Sequence, residues 1–195
     1  MKKKDTKLLI CDTYCTLAQR SPEETISVKK LIHASGLNRS TFYYHFRDIN
    51  DVAEQIMRGF SQKYIHYILL LSDCKTEEDP AARKYLQESL WPELSRKKAK
   101  LPVFFTEKFR ETFKALYFEA FQAITEQYGS LIVQPYGLPV DEELDLMQFI
   151  RNTLCRRSFE KMEFWICHSP EKVDADFFRL YYTANVEFSF TRPGN

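Results

Sequence analysis

Residues 26–52 hold the sequence feature that most constrains how this chain can fold. Ser27 is a suitable N-cap, and the apolar residues behind it repeat at the spacing of one helical face: Val28, Leu31 and Ile32. Gly36 then interrupts the pattern, and glycine is the residue that best tolerates the positive φ of a sharp turn. The spacing therefore predicts a short helix that ends in a tight turn at Gly36.

A second helix is predicted directly after this turn. Asn38 can cap its N-terminus, and Phe42 and Phe46 lie one helical turn apart. Asp48 can cap a third helix, with Asp51 three residues on in a position like that of a capping box. Two short helices joined by a Gly-containing turn, the second rich in hydrogen-bonding side chains, form the arrangement that fits the major groove of DNA.

The second helix carries side chains that can reach bases or phosphates. Arg, Ser and Tyr near its N-terminal end can reach base edges, and Arg to guanine is the commonest specific contact. Thr, Tyr and His can donate to phosphates, as can the amides at both helix N-termini. The alternative is an ordinary surface helix that happens to contain aromatic residues. The predicted DNA-binding residues are Ser27, Asn38, Arg39, Ser40, Thr41, Tyr43, Tyr44 and His45.

The same stretch resembles the DNA-binding motif of TetR-type bacterial transcriptional regulators. That motif places a Gly, an apolar residue and a capping Ser or Asn ahead of Thr-x-Tyr-x-(Tyr/His)-Phe. Here it reads GLNRSTFYYHF from Gly36 to Phe46, and the resemblance covers roughly residues 6–55, just over a quarter of the chain. By resemblance, Tyr43 and His45 occupy phosphate-contacting positions. The chain departs from the pattern at Ile49, where the family commonly has a Lys that meets a phosphate.

The resemblance implies an all-α, TetR-like fold. In it an N-terminal three-helix DNA-binding domain, residues 1–50 (the head), is joined to a larger helical domain for ligand binding and dimerisation, residues 51–195 (the body). It further implies a homodimer that binds a palindromic double-stranded DNA operator and is released or altered by a small-molecule effector. The aromatic run ending at Phe46, followed by Asp48 and Ile49, also resembles a subset related to the dihydroxyacetone-kinase operon regulator. Some members of that subset are activators or act with a partner protein, so repression and activation both stay open.

Composition agrees with a helical protein and a basic head. The 195 residues include only 5 Gly, and alternating strand patterns are nearly absent. The net charge is only +1, but residues 1–50 contain nine Lys or Arg against five Asp or Glu. The rest of the chain therefore carries a net charge of −3. A basic N-terminal part on an acidic body suits a DNA-binding head on a core that does not bind DNA.

Helical patterns also run through the rest of the chain. The first helix is predicted to end at Ser21-Pro22, and Pro92 is predicted to limit the helix that contains it. A long helix is predicted to start at Pro102, and residues 129–139 are predicted to form a loop. A last helix after Pro170 is apolar on two sides, which predicts that a second copy of the chain covers one of them. The other predicted helices span about 5–19, 48–71, 81–94, 102–128 and 141–167.

The aromatic residues between positions 104 and 121 allow two interpretations. They can line a small-molecule pocket, since such sites are concave and mostly apolar. They can also be core residues, which is the commoner role of aromatic residues at helical spacing; in TetR-like proteins the same helices usually serve both purposes. The predicted ligand-binding residues are Phe105, Phe109, Phe113, Tyr117 and Phe121.

The remaining sequence features limit the classes of function that the chain can have. Five scattered cysteines, without a Cys-x-x-Cys or a compact Cys/His cluster, indicate reduced core residues, although a metal or redox sensor stays open. No signal peptide or membrane-spanning segment is visible, so we expect a cytoplasmic protein that acts away from membranes. No phosphate-binding loop or catalytic motif is present, so no enzyme activity, cofactor or metal is expected. A rival hypothesis is a TetR-like protein whose head no longer binds DNA and which acts by pairing with another regulator.

Overall fold

The computed structural model describes residues 3–22, 24–72, 79–128 and 140–168. Within these ranges the chain is helical and contains no β-strand, which confirms the predicted all-α class. The helices are α1 (Lys3–Arg20), α2 (Val28–Ser35), α3 (Arg39–His45), α4 (Ile49–Ser72), α5 (Pro80–Tyr85), α6 (Trp91–Lys98), α7 (Arg110–Tyr128) and α8 (Val140–His168). None of the helices in this described part is long and apolar enough to cross a membrane.

The N-terminal helices enclose a small core of their own. The predicted first helix is α1, and it ends before Ser21-Pro22 as expected. Helix α1 packs on α2 and on the start of α4, and α2 meets α3. The side chains that fill the space between these four helices are almost completely buried: Ile10, Tyr14, Leu31, Phe42, Phe46 and Val52. Apolar burial at these positions is the main stabilising contribution in this part of the chain.

Helix α4 continues from the head into the body. Its first turn contributes Val52 and Ala53 to the core beneath α1, while Phe60 and Tyr64 are buried further along. The body half of α4 packs along α7, the most extensive pairing of helices in the described residues. The head–body boundary predicted at residue 50 therefore falls within the first turn of a continuous helix, Ile49–Ser72.

Pro92 does not limit its helix as the sequence predicted. The helical path runs without a break from Pro80 to Lys98, through a π-helical turn at Leu86–Leu90 between α5 and α6. A proline ring clashes with the carbonyl one turn earlier and cannot donate a hydrogen bond. In the wider π turn directly before Pro92, the Trp91 amide donates a hydrogen bond to the Leu86 carbonyl. This turn accommodates the proline within the helix.

The long aromatic helix starts later than predicted. Pro102 begins a short 3-10 turn, Pro102–Phe105, and α7 starts only at Arg110. Phe105 and Phe109 therefore precede the helix that they were predicted to lie on. Phe104 lies against the head, with its ring stacked on Tyr14 at 6.2 Å between centroids, and it also contacts Phe113 edge-on at 6.3 Å. The 3-10 turn thus joins α1 to the core of the body.

Helix α8 matches the predicted helix 141–167 within one residue at each end. Its C-terminal half closes the body, because Phe159, Met162 and Trp165 are buried against α4 and α7. A two-pronged ion pair joins α7 to α8: Arg110 donates through Nε and Nη2 to the Glu163 carboxylate at 2.7 and 2.8 Å. These hydrogen bonds raise the pKa of Arg110 further, so the pair stays charged at any ordinary pH.

Two sequence predictions fall on residues outside the described ranges. The loop 129–139 is one, and the last helix after Pro170 is the other. The surface predicted to form the dimer is thus described only as far as His168, the end of α8. Three large apolar side chains described on that helix are exposed, Phe149 at 68%, Phe164 at 51% and Leu154 at 36%.

Asp51 ties the loop after α3 to the start of α4. The Asp48 carboxylate accepts from the Asp51 amide at 2.8 Å, which confirms the predicted N-cap. The buried Asp51 carboxylate accepts from the Arg47 amide at 2.8 Å and from the Gln55 side chain at 3.0 Å. Desolvation opposes ionisation here, but these hydrogen bonds and the Arg47 charge outweigh it and lower the pKa of Asp51.

We predict that Asp51→Asn destabilises the protein by roughly 1–3 kcal/mol at neutral pH, because an amide cannot accept both hydrogen bonds. A carboxyl whose folded pKa lies below its ordinary value of 3.8 stabilises fully above that value. Its contribution is lost as the pH falls through the folded pKa. Thermal melts should therefore show a constant difference from the wild type between about pH 7 and pH 5, which shrinks only in stronger acid.

The matched control is Asp48→Asn, because asparagine caps a helix about as well as aspartate and should leave the melting temperature nearly unchanged. An Asp51→Asn protein as stable as the wild type at pH 7 would contradict this account of the junction.

Candidate nucleic-acid interface

The turn between α2 and α3 has the geometry that the sequence predicted. The Ser27 hydroxyl accepts from the Lys30 amide at 3.2 Å and caps α2. Gly36 ends that helix with φ 66° and ψ 20°, in the left-handed region. The Leu37 amide then donates to the Ile32 carbonyl at 3.2 Å, a Schellman arrangement that satisfies the end of α2. A residue with a Cβ would be strained at this φ, so glycine sets the angle between the two helices.

Asn38 holds the start of α3. Its Oδ1 accepts from the Thr41 amide at 2.7 Å, the predicted N-cap, and also from the Ser40 hydroxyl at 2.7 Å. Because a serine hydroxyl has one hydrogen, Ser40 in this arrangement can only accept from a partner. Bases offer such donors, at adenine N6 and cytosine N4, and phosphates do not. In this arrangement the Ser40 hydroxyl can accept a hydrogen bond from an amino group but cannot donate one to an anion.

Helix α3 turns one side inward and the other outward. Phe42 and Phe46 are 1% and 2% exposed and fasten the helix to the head core. The outward side presents two pairs of residues that are four positions apart. We call this exposed set the α3 stripe; it consists of Arg39, Ser40, Tyr43 and Tyr44. Thr41 and His45 lie at its borders and are half-buried.

The aromatic residues of the stripe are held by their neighbours. The Arg39 guanidinium lies over the Tyr43 ring, 5.5 Å from its centroid. Tyr43 also meets the buried Phe42 ring edge-on at 5.3 Å, while Tyr44 meets His45 edge-on at 5.0 Å. These contacts restrict the side chains before any partner binds, so less conformational entropy is lost on binding.

The chain differs from the expected family pattern at the start of α4, and the structure gives a physical reason. Ile49 is half-buried and packs against the hydrophobic core, near Tyr14 and Ala18 of α1. The nearby Arg47 has 81% of its side chain exposed, although it lies 3.6 Å from the Asp51 carboxylate. Arg47 is one of the basic residues of the head and was not among the residues predicted to bind DNA. Its position directly after Phe46 was the available signal.

Other basic side chains of the head lie on α1 and α2. Lys29 of α2 is exposed, and Lys30 is paired with Glu24. Lys7 of α1 lies over the Phe46 ring, 5.6 Å from its centroid. Among the described residues, basic side chains of the head thus lie on α1, α2, α3 and directly after α3. A surface of this kind attracts polyanions at low salt.

The five residues predicted to bind a ligand contribute mainly to the core. Phe113, Tyr117 and Phe121 are buried, and Phe105 and Phe109 are half-buried. Phe105 and Phe113 lie 4.9 Å apart between ring centroids, and Tyr117 contacts Phe159 of α8 at 5.4 Å. The Tyr117 hydroxyl also shares a hydrogen bond with Ser158. Their role in binding a ligand stays a prediction. Phe121 borders a cavity between α7 and α8, and Phe109 borders a smaller one next to α1.

The cysteines of the described ranges are free thiols. Cys15 and Cys155 are core residues, as predicted, whereas Cys167 is exposed; Cys74 lies outside the described residues. Burial raises the pKa of Cys15 and Cys155 to about 12 and that of the half-buried Cys11 to about 11. Thiols of this kind are protonated at neutral pH and react slowly. No three His, Cys, Asp or Glu side chains of the described ranges are grouped so as to hold a metal ion.

No protein-family model matches this chain, and no curated protein and no solved structure is significantly similar to it. The resemblance of the N-terminal residues to the TetR motif therefore rests on the sequence pattern alone. The local geometry, exposure and charge of the head are the physical basis on which a function can be proposed.

Proposed function

We propose that this chain is a homodimeric TetR-like transcriptional regulator. Each head binds one half-site of a palindromic DNA operator, and the body binds a small effector that changes the position of the heads. The observation that carries the proposal is the α3 stripe, a set of exposed hydrogen-bonding and aromatic side chains opposite two buried phenylalanines. A recognition helix in the major groove requires one side that packs on the domain core and an opposite side that is exposed and can form hydrogen bonds.

In the proposed complex, α3 lies in the major groove, whose width of about 12 Å accepts a helix with its side chains. Arg39 and Tyr44 read base edges, and Ser40 accepts from an amino group of a base. Tyr43 donates its hydroxyl to a phosphate. Arg47 supplies the positive charge that Ile49 does not, since its guanidinium is exposed at the end of the same motif.

A second candidate function is supported by the half-buried position of Ile49, which packs against the core. If phosphate binding in this fold depended on a cation at that position, the head would bind DNA poorly and the protein would act by pairing with another regulator. A gel shift with the DNA upstream of its own gene, against random competitor DNA, separates the two. Specific retardation supports the regulator, and no retardation even at low salt supports the partner protein.

The roles of Arg39 and Tyr43 give the first prediction for DNA binding. Arg39→Ala should cost about 1–3 kcal/mol on the best site and relax the preference at one base pair in each half-site. Tyr43→Phe should weaken binding to all sequences more evenly, because a phosphate contact carries no base information. Fluorescence anisotropy on specific and random DNA measures both effects. Equal losses on the two DNAs for both variants would contradict the assignment.

The second prediction concerns salt. Arg47→Gln should flatten the slope of log K against log [salt] by roughly two per dimer, one per head. Ile49→Lys should instead lower the melting temperature without steepening the slope, because the new charge enters a position packed against the core. Lys84→Gln removes an exposed cation of the body and is the control. A steeper slope with an unchanged melt for Ile49→Lys would show that position 49 faces the phosphates.

The third prediction concerns the dimer. Light scattering on the isolated protein should give twice the 23.2 kDa chain mass at micromolar concentration. Phe149→Glu should weaken the dimer and operator binding together, because Phe149 is an apolar side chain, 68% exposed, on α8. Tyr85→Glu changes an exposed aromatic residue of α5 and should leave the dimer intact. A monomeric wild type would rule out the proposed architecture.

A further inference from the structure

A cavity of about 460 Å³ lies between α7 and α8 and is partly open to solvent. Its volume falls within the range of roughly 300–1,000 Å³ that is typical of small-molecule sites. It borders the buried core at Phe121 and Cys155, and two of its other lining residues, Gln122 and Asn152, are exposed. Of the five residues predicted from the sequence to bind a ligand, Phe121 lines this cavity.

The floor of the cavity is apolar. It is formed by Phe118, Phe121 and Cys155, of which the last two are 4% and 3% exposed. Burial raises the pKa of the Cys155 thiol to about 12, so this group is neutral and behaves as a small apolar side chain at physiological pH. A floor of this kind favours a flat hydrocarbon group.

The other described side chains that line the cavity are polar, and Arg151 is the positively charged one among them. Gln122 of α7 and Arg151 and Asn152 of α8 line it. Arg151 is half-buried, and no ion pair between described residues involves it. Arg110 on the same pair of helices shows the contrast, because Glu163 neutralises it with two hydrogen bonds. A half-buried guanidinium beside a cavity forms its strongest hydrogen bonds with an anion that offers two oxygens.

We propose that this cavity binds a small monocarboxylate with a flat apolar body and is the effector site of the regulator. The carboxylate meets the Arg151 guanidinium, the amides of Gln122 and Asn152 are available to its second oxygen, and the apolar body rests on Phe118 and Phe121. The effector role rests on the proposed function, whereas the binding chemistry does not.

The position of the cavity connects it to the head. Helix α7 forms one side of the cavity and packs along α4, whose first turn lies beneath α1 in the head. A ligand that changes the separation of α7 and α8 therefore acts on the helix that the head and the body share. An effector shifts the equilibrium between two conformations of a protein only if it binds one of them more tightly than the other.

Calorimetric titration of the full-length protein tests the site. The probes are naphthalene carboxylate and the matching neutral naphthalene carboxamide, which differ in charge and hardly in shape. The wild type should bind the carboxylate roughly 10-fold to 100-fold more tightly than the carboxamide, the range expected for a charged hydrogen-bonded pair. Arg151→Gln should reduce carboxylate binding to the carboxamide level, whereas Arg156→Gln, an exposed arginine on the same helix, should change nothing.

A second variant distinguishes the loss of the binding site from unfolding of the protein. Asn152→Trp places a bulky side chain at an exposed lining position of the cavity without changing the charge, and it should abolish binding of both probes with a cooperative thermal melt retained. Equal affinity of the wild type for the two probes, equal affinity of wild type and Arg151→Gln for the carboxylate, or no binding at millimolar concentration would each overturn the site.

Operator binding is measured in parallel, with and without the naphthalene carboxylate. A change in operator affinity that Arg151→Gln removes supports the effector role, and carboxylate binding with no such change overturns it. If the wild type binds no DNA at all, the proposed function fails, while the Arg151-dependent preference for the carboxylate still establishes the binding site.

Discussion

The burial of Phe42 and Phe46 is the interaction on which the proposed function depends. Helix α3 has 7 residues, fewer than the roughly 12 at which an isolated helix becomes even marginally stable. It is therefore helical because it packs, and each buried phenylalanine contributes about 1.5–3 kcal/mol. The same burial determines which side of α3 faces solvent. Arg39, Tyr43 and Tyr44 are exposed together because they lie on the side of α3 opposite the two buried phenylalanines.

The core beneath α3 continues through the whole described structure. Tyr14 of the head stacks on Phe104, and Asp12 binds Lys100 at 2.9 Å, so α1 is fixed to the segment before α7 by an aromatic and an ionic contact. Helix α4 extends from the head core into the body. Because interiors are close-packed and transmit strain, a displacement of α7 changes the support of α1 and α4. That continuity gives a physical route from the cavity to the α3 stripe.

The sequence predicted the features that local chemistry controls. Ser27, Asn38 and Asp48 cap their helices, and Gly36 takes the left-handed conformation, because these properties depend on a few neighbouring residues. It did not predict the helical path through Pro92, which depends on a π turn. Nor did it predict the packing of Ile49 on the core or the position of Arg151 at a cavity, where no described residue forms an ion pair with it, since those follow from which distant helices meet. For the aromatic residues from Phe105 to Phe121, spacing alone could not separate core from pocket, and the structure shows that they contribute mainly to the core.

The central claim is that the exposed side of α3 reads a specific DNA sequence, and selection from a random double-stranded DNA library tests it most directly. With the purified full-length protein at physiological salt, the account predicts enrichment of an inverted repeat. Its half-sites should be centred about one helical turn of DNA, or a whole number of turns, apart. If a folded, dimeric protein enriches no sequence above the starting library, the α3 stripe is not a DNA-reading surface and the account is wrong.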